Sequence, residues 1–498
     1  MKKIIGREEE KRVLQQIYHS DKPEFLALYG RRRVGKTFLI RQFFTQKEAM
    51  FFNVTGAKNG TLLEQLKHFT KQLSAAFYDK LEIVSPKTWD SAFELLTETI
   101  KKQPKRKRIV LFFDEIPWLA TRKSRLLENL DYYWNQHWSN DPRIKLVICG
   151  SSASWIIQKV IKNKGGLHNR ITHKIRLEPF TLEETKTFLH HSGIKLIDQQ
   201  ILMLYMLTGG VPYYLSDLDK GLSAAQLIEK LAFTSKGLLF DEFDQLFSSL
   251  FTHSDKYEQL IRLIASQRQG IGQRELLNKL GKSDLGSTGI KRLEELEEAG
   301  FIMSFMPFQH KRQGIYYRAI DEYTLFYLQW IEPLKNTVEK KGLPLGSWQD
   351  IQNAPEFHNW LGYAFEAVCY KHINCIRKAL KISPSAIADS WRYVPRKGAK
   401  ERGAQIDLLF DRRDDAITLC EIKYTDKPFV LSKDYVEVLQ RKMKVFREQT
   451  NTKKQLFMAM VSVNGLKNNF YADDLICATV TLNDFFAQAI EVAAQNQQ

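Results

Sequence analysis

The sequence predicts an α/β protein of several domains, and three observations carry that prediction. Residues 1–178 alternate short β-rich runs with amphipathic stretches, the pattern of a parallel sheet flanked by helices. Residues 256–320 read helix, helix, helix, hairpin, which is the layout of a winged helix-turn-helix. Residues 405–424 hold two short alternating strands across a polar DRRDD turn, the start of a C-terminal α/β domain. A chain of 498 residues accommodates about three or four domains of ordinary size.

In chain order, strands are expected at Phe25–Tyr29, Ala49–Val54, Ile109–Phe113, Lys145–Cys149 and Lys174–Leu177. The first runs straight into Gly30-Arg31-Arg32-Arg33-Val34-Gly35-Lys36-Thr37, and the helical FLIRQFF begins at Phe38. A glycine-rich loop between a strand and a helix turns backbone N–H groups and a helix N-terminus toward phosphates, so Gly30 through Phe38 form a candidate nucleotide-binding P-loop. Lys36 would hold the β- and γ-phosphates of ATP and Thr37 would ligate Mg²⁺. The loop arginines Arg31, Arg32 and Arg33 could touch nucleotide or DNA, and loop solvation explains them equally well.

The strand IVLFF ends in Asp114-Glu115. A carboxylate at the tip of a buried strand beside the loop's own strand suits the Mg²⁺ shell, which is the role expected of Asp114; Glu115 would polarise the attacking water. The run KLVICG ends in Ser151 and Ser152, candidates to sense the γ-phosphate or orient water, or else ordinary helix caps. Arg170 is a further candidate for the γ-phosphate. The helical stretch from Leu182 to about Leu250, broken at Gly209–Pro212, is expected to cap the site as a lid.

The box IIGREEEKRVL, the loop GRRRVGKT, the strand with its tail FFDEIPWLA, the run ICGSSASW and GGVPYYL resemble, in that order over residues 1–250, the archaeal-type ATPases of the STAND class, relatives of AAA+ proteins. The resemblance implies ATP binding and hydrolysis with Mg²⁺. It sets Lys36, Thr37, Asp114 and Glu115 at the nucleotide and hydrolysis positions, and Ser151 or Ser152 at a polar sensor position. It sets Arg170 at a family arginine, although Leu-His-Asn-Arg departs from the family's Leu-Tyr-Gly-Arg. It further implies a winged helix and a C-terminal domain, and it suits defence against foreign DNA or mobile-element biology.

In the winged segment the third helix carries Lys291 and Arg292 but also Glu294, Glu295, Glu297 and Glu298. Four carboxylates do not belong in a major groove, so any DNA contact is expected from the wing residues His310, Lys311 and Arg312; an internal connector is the equal alternative. The basic run KKQPKRKR before the Asp114 strand reads as a solvated loop or a DNA contact.

At the C-terminal end, alternation puts Glu421 and Lys423 on one strand face and the hairpin brings Asp407 beside them. Such a cluster is costly when desolvated unless a metal compensates it. Asp407 and Glu421, with the Ile422 carbonyl, would hold Mg²⁺ or Mn²⁺, and Lys423 would position a nucleophile for phosphodiester hydrolysis. With Glu366 in GYAFEAVCYKHI, these residues resemble the PD-(D/E)xK nuclease superfamily of restriction-like folds over about residues 351–465, which implies catalytic roles for Glu366, Asp407, Glu421 and Lys423. Arg396, Lys397, Lys400, Arg402, Arg441, Lys442 and Lys444 flank the cluster and could grip phosphates.

Domain boundaries follow: an ATPase core over 1–178, a helical lid over 179–250, a winged helix-turn-helix over 251–320, a helical connector over 321–350, a nuclease-like domain over 351–486 and a tail over 487–498. The net charge of +17 and pI near 9.4 favour a polyanionic partner such as DNA, with ATP phosphates and solubilising lysines accounting for part of it. No run approaches the roughly 18 apolar residues of a membrane span, and MKKIIGREEE turns acidic where a signal peptide would be apolar, so no membrane partner and a cytoplasmic location are expected. The five cysteines read as reduced core thiols. A homo-oligomer is compatible with all of this. The expected function is an ATP switch controlling a metal-dependent nuclease; the alternatives are an ATP-dependent DNA- or protein-binding switch without cleavage, or a winged-helix transcription regulator.

Overall fold

Strand EFLALY, Glu24–Tyr29 (β1), is buried on both faces, with Leu26 and Leu28 in one apolar layer and Phe25 and Ala27 in the other. Continuous apolar runs of this kind belong to parallel sheets covered by helices on both sides. In the computed structural model, which describes residues 3–162, 166–280, 286–308, 314–344, 346–395 and 402–487, β1 lies within such a sheet. The wing residues His310, Lys311 and Arg312, the flanking Arg396, Lys397 and Lys400, and the tail beyond 487 lie outside the described residues. The chain divides into two compact units, Met1–Pro179 and Phe180–Gln498.

In the first unit β1 is joined by β2 (Ala49–Thr55), β3 (Arg108–Asp114), β4 (Ile144–Gly150) and β5 (His173–Arg176). All pairings are parallel, in the order β2-β3-β4-β1-β5. The expected strands fall within two residues of these bounds. One expectation is corrected: the Asp114 strand does not lie beside β1, because β4 intervenes. Parallel register still gathers the carboxyl ends, with Tyr29 beside Gly150, and that edge of an open sheet is where ligands bind. Arg108, the last residue of the basic run, donates to the carbonyls of Ser20 at 2.7 Å and His19 at 3.2 Å and so holds the fold.

The second unit begins with helices from Leu182–His191 to Glu242–Leu250. Helices Ser254–Ala265, Gln273–Leu280 and Ser287–Glu298 follow, with a small antiparallel sheet of β6 (Ile271–Gly272), β7 (Ile302–Phe305) and β8 (Tyr316–Ala319) in the order β6-β8-β7. A five-stranded sheet ends the unit, in the order β13-β12-β11-β10-β9. Its strands are β9 (Ile387–Tyr393), β10 (Ala404–Asp411), β11 (Ala416–Lys423), β12 (Gln455–Ser462) and β13 (Ile476–Val480). Helices Pro355–Lys371 and Lys433–Thr450 pack on this sheet.

The expected lid and connector are not separate bodies within this unit. One continuous core includes Leu189, Leu227, Phe243, Phe301, Tyr323, Trp348, Phe365 and Phe485. Aromatic stacking joins its parts: Phe243 lies 4.4 Å from Tyr327 and Phe233 lies 4.8 Å from Trp348, ring to ring. A buried ion pair adds to it, Glu322 with Lys371, and Glu322 presses on Gly209. Gly209 has a φ of 58°, and a Cβ there would stand 2.7 Å from Glu322 Oε2, so the break in the helical run needs glycine. Cysteines 149, 369, 375 and 420 are buried thiols as expected, but Cys477 is exposed because β13 is an edge strand with outward-facing positions.

Candidate functional site

The loop after β1 is shaped by backbone angles that favour glycine. Gly30 has a φ of 144°, and a Cβ there would stand 2.3 Å from the Leu177 carbonyl oxygen. Gly35, at a φ of 94°, turns the chain into helix Lys36–Phe44 without any side-chain cap. The first N–H groups of that helix therefore have no capping side chain and suit an anion. Lys36 is buried and donates Nζ to the carbonyls of Gly30 at 2.9 Å and Arg31 at 2.7 Å. Burial pushes its ammonium below the ordinary lysine value, opposed by the carboxylates of Glu115 and Asp114. Of the loop arginines Arg31 is buried, while Arg32 and Arg33 are half-buried; Val34 is buried and Phe38 is exposed.

The acids close on the loop from β3. Thr37 Oγ1 donates to Asp114 Oδ2 at 2.9 Å, and Thr55 Oγ1 donates to the same oxygen at 3.3 Å. Asp114, 2 % exposed, also accepts from the Glu115 N–H at 3.1 Å. A hydroxyl and a carboxylate this close are the oxygen pair that suits Mg²⁺ beside phosphates. Glu115 stands in the left-handed region at a φ of 47°. Its Oε2 accepts from Ser151 twice, from N–H at 3.0 Å and from Oγ at 2.9 Å. Ser151 thus orients the glutamate, whereas Ser152 precedes helix Ala153–Ile156 without capping it.

Arg170 is not brought to this site. It is exposed on the turn before β5, and the nearby Thr172 N–H bonds to the carbonyl of Phe25 at the start of β1. The glycine loop follows the other end of β1, on the order of 15 Å away for a strand of this length. Spacing along the chain gave no sign of which sheet edge Arg170 would reach. Two contributors went unnoticed as site residues. Arg7, in the N-terminal box, donates Nη2 to the Val34 carbonyl at 3.2 Å and braces the loop. Thr55 is the other, and its position at the end of β2 was the available signal.

The second unit holds a separate cluster. Leu408 pairs with Cys420 between β10 and β11, which sets Asp407 against Glu421 one step further on. Both acids are buried, at 7 % and 3 % exposure. Asp407 Oδ2 accepts the Ile422 N–H and Oδ1 accepts Gln405 Nε2, each at 3.2 Å. Lys423 Nζ lies 3.3 Å from Glu421 Oε1, as strand alternation requires. Helix Lys433–Thr450 adds two donors: Tyr435 Oη to Glu421 Oε1 and Lys442 Nζ to Oε2, each at 2.6 Å. Tyr435 and Lys442 lie two helical turns apart on one face, a spacing that could have found them. Lys442 is therefore committed to a carboxylate and is not a phosphate grip.

Glu366, on helix Pro355–Lys371, lines a cavity of about 340 Å³ together with Asp407. Burial, and next the charge of Asp407, push its carboxyl up to about 8. Burial and then Glu421 push Asp407 up to about 6. Burial would raise Glu421 as well, but Lys442 and Lys423 hold it below the ordinary carboxylate value. Among the described residues no group of three His, Cys, Asp or Glu side chains is placed to hold a metal ion, so Glu366 does not complete a shell with Asp407 and Glu421. Two opposed carboxylates are a donor set that a divalent cation could take, in competition with Lys442 and Tyr435 for the oxygens of Glu421.

A parallel sheet with a glycine loop on β1, and a threonine–aspartate pair closing over it, defines a P-loop ATPase domain. Residues 4–218 match the family described as "ATPase domain predominantly from Archaea", and this part of the chain is an archaeal-type ATPase domain. An uncharacterised protein of Methanocaldococcus jannaschii is 26% identical over 429 residues, 85% of this chain and 88% of that protein. An uncharacterised ATP-binding protein of the same organism is 43% identical over 45 residues, 9% of this chain and 76% of that protein. Among solved structures, a Walker-type ATPase of Pyrococcus abyssi is similar at 19% identity and a TM-score of 0.45, over 65% of this chain and 96% of that one. No described helix is long and apolar enough to cross a membrane.

Proposed function

We propose that the chain is an ATP-dependent switch whose second unit cleaves nucleic-acid phosphodiesters. The observation that carries the reading is the buried pair Asp407 and Glu421 on facing strands, with Lys423 3.3 Å from Glu421. Two buried carboxylates and an ammonium on adjacent strands are costly to desolvate, and such clusters mark functional sites. In the first unit Lys36 would hold ATP phosphates, Thr37 and Asp114 would hold Mg²⁺, and Glu115, oriented by Ser151, would draw a proton from the attacking water. In the second, Asp407, Glu421 and the Ile422 carbonyl would hold Mg²⁺ or Mn²⁺. The bound cation supplies a water of lowered pKa and charge stabilisation. Lys423 orients the nucleophile and neutralises phosphate charge, and Glu366 lines the same cavity as Asp407. Segment 251–320 is read as a winged helix, and DNA as the partner that the +17 charge favours.

A second reading, a switch that grips DNA without cutting, is favoured by one observation: Lys442 and Tyr435 already occupy the oxygens of Glu421. The deciding experiment incubates the full chain with Mg²⁺ or Mn²⁺, plasmid and single-stranded DNA, with and without ATP, beside Lys36→Ala and Glu421→Ala. Cleavage that Glu421→Ala abolishes and Lys36→Ala alters supports the first reading. Binding without any nick in every condition leaves the second.

A further inference from the structure

The cavity beside Glu366 and Asp407 has walls from two segments far apart in sequence. Arg268 and Gly270, before β6, and Phe305, Tyr316 and Arg318, on β7 and β8, line it opposite the acids' own domain. Arg318 is 8 % exposed, and its guanidinium lies between two rings, 3.8 Å from the centroid of Phe305 and 4.1 Å from that of Tyr370. Nη2 donates to Ser390 Oγ at 2.7 Å, while the buried Nε–H meets no acceptor among the described residues. Among those residues Arg318 also makes no ion pair with Glu366 or Asp407. A buried cation without an ion pair is costly, and an anion in the cavity that Arg318 lines would offset its charge. The two rings hold the guanidinium in place before any ligand arrives, which lowers the cost of binding. Arg268 is exposed at the cavity rim, with its guanidinium 5.5 Å from the Tyr363 ring.

Size narrows the choice of anion. About 340 Å³ is at the small end of the roughly 300–1,000 Å³ range for small-molecule sites. It can enclose one nucleotide and cannot admit a base-paired duplex, which favours a single strand, whose bases are already unpaired. Arginine suits the phosphate by its planar fork, and Tyr316 offers a ring on which a base can stack. The three-helix segment itself shows no groove-reading surface on its third helix. There Glu295 accepts from Tyr257 Oη, and Glu297 Oε1 accepts from the Ser304 N–H at 2.6 Å, so two of its acids tie the module together.

We infer that this cavity takes one unpaired nucleotide of a nucleic-acid strand, its phosphate between Arg318 and Arg268, its base toward Tyr316, and the phosphodiester facing Glu366 and Asp407. The segment 251–320 is then a wall of the cleavage site instead of a sequence reader. The inference rests on the phosphodiesterase reading and adds its substrate class.

The test is fluorescence anisotropy of the full chain with labelled oligothymidylate and with a duplex of equal length, in EDTA so that no cleavage intervenes, over a range of salt. The single strand is expected to bind more tightly. Arg318→Gln and Arg268→Gln should each weaken it about tenfold and reduce the slope of log K against log salt by about 0.7, the value of one phosphate on a single strand. Arg318→Lys should recover part of the slope. Arg268 is exposed, so its replacement reads binding without a folding defect. Duplex preference by the wild type, or unchanged slopes in both glutamine variants, overturns the inference while leaving metal-dependent cleavage free to stand. A wild type that binds no nucleic acid in EDTA overturns the inference and leaves the phosphodiesterase reading to the metal-dependent cleavage experiment.

Discussion

Thr37 Oγ1 donates to Asp114 Oδ2 at 2.9 Å, across the width of an intervening strand. The bond ties the helix that follows the phosphate loop to the tip of β3, and the two oxygens are those proposed to hold Mg²⁺. Thr37→Ala is expected to lower nucleotide affinity about tenfold or more in Mg²⁺ and little in EDTA, as loss of a metal contact does. Titration of a labelled ATP analogue in the two buffers measures it. An equal loss in both would show that Thr37 works only through the fold of the loop.

Glu115 and Ser151 separate chemistry from binding. Glu115→Gln should cut ATP turnover by about 10²–10⁴-fold with affinity kept, the usual loss of a general base. Ser151→Ala removes one of the two bonds to Glu115 Oε2 and leaves the backbone N–H, so its loss should be smaller. Steady-state hydrolysis beside equilibrium binding distinguishes these outcomes. Turnover in Glu115→Gln near wild type would remove Glu115 from the mechanism.

The buried pair Glu322–Lys371 sets a stability test. Burial raises the carboxyl of Glu322, and Lys371 is the charge that opposes it. Lys371→Met strands that acid and should cost about 3–5 kcal/mol, whereas adding Glu322→Leu to it should restore much of the loss. Urea unfolding of both variants gives the two values. A double variant no better than the single would mean that shape, not charge, governs the site.

His372 makes the second unit sensitive to acid. Its Nδ1 lies 2.8 Å from the Val368 carbonyl and its Nε2 accepts the Leu182 N–H at 3.2 Å, so the ring is neutral with the proton on Nδ1. Burial lowers its pKa from 6.5 to about 4. The unfolded chain therefore takes up a proton below about 6.5 that the folded one refuses until about 4. Stability from this group is complete above 6.5 and is lost as pH falls through that window, by about 3 kcal/mol at most. His372→Gln should flatten that part of the stability profile. A slope that survives the substitution would assign it to other groups.

How much was legible differs between neighbours in the same site. The run FLALYGRRRVGKT states its strand, loop and helix locally, because alternation, glycine and the helix period are properties of a few adjacent residues. The spacing of Glu421 and Lys423 is local in the same sense. Lys442 reads in the sequence as a phosphate grip and Tyr435 carries no role there, and packing of their helix on β10 and β11 brings both to Glu421. Arg170 failed for the converse reason: its position in the chain suggested the phosphate site, and parallel pairing with β1 carried it to the opposite edge.

By itself the sequence determined the nucleotide loop, the strands of the first sheet and the acid-bearing hairpin, since each follows from residues close together in the chain. Tertiary structure alone decided that β4 separates Asp114's strand from the loop's strand, that the helices after Phe180 share one core with the C-terminal sheet, and that Arg318 looks into the same cavity as Glu366. The physical reason is that these depend on which apolar faces bury each other across long separations, and burial is set by area and shape, not by order along the chain.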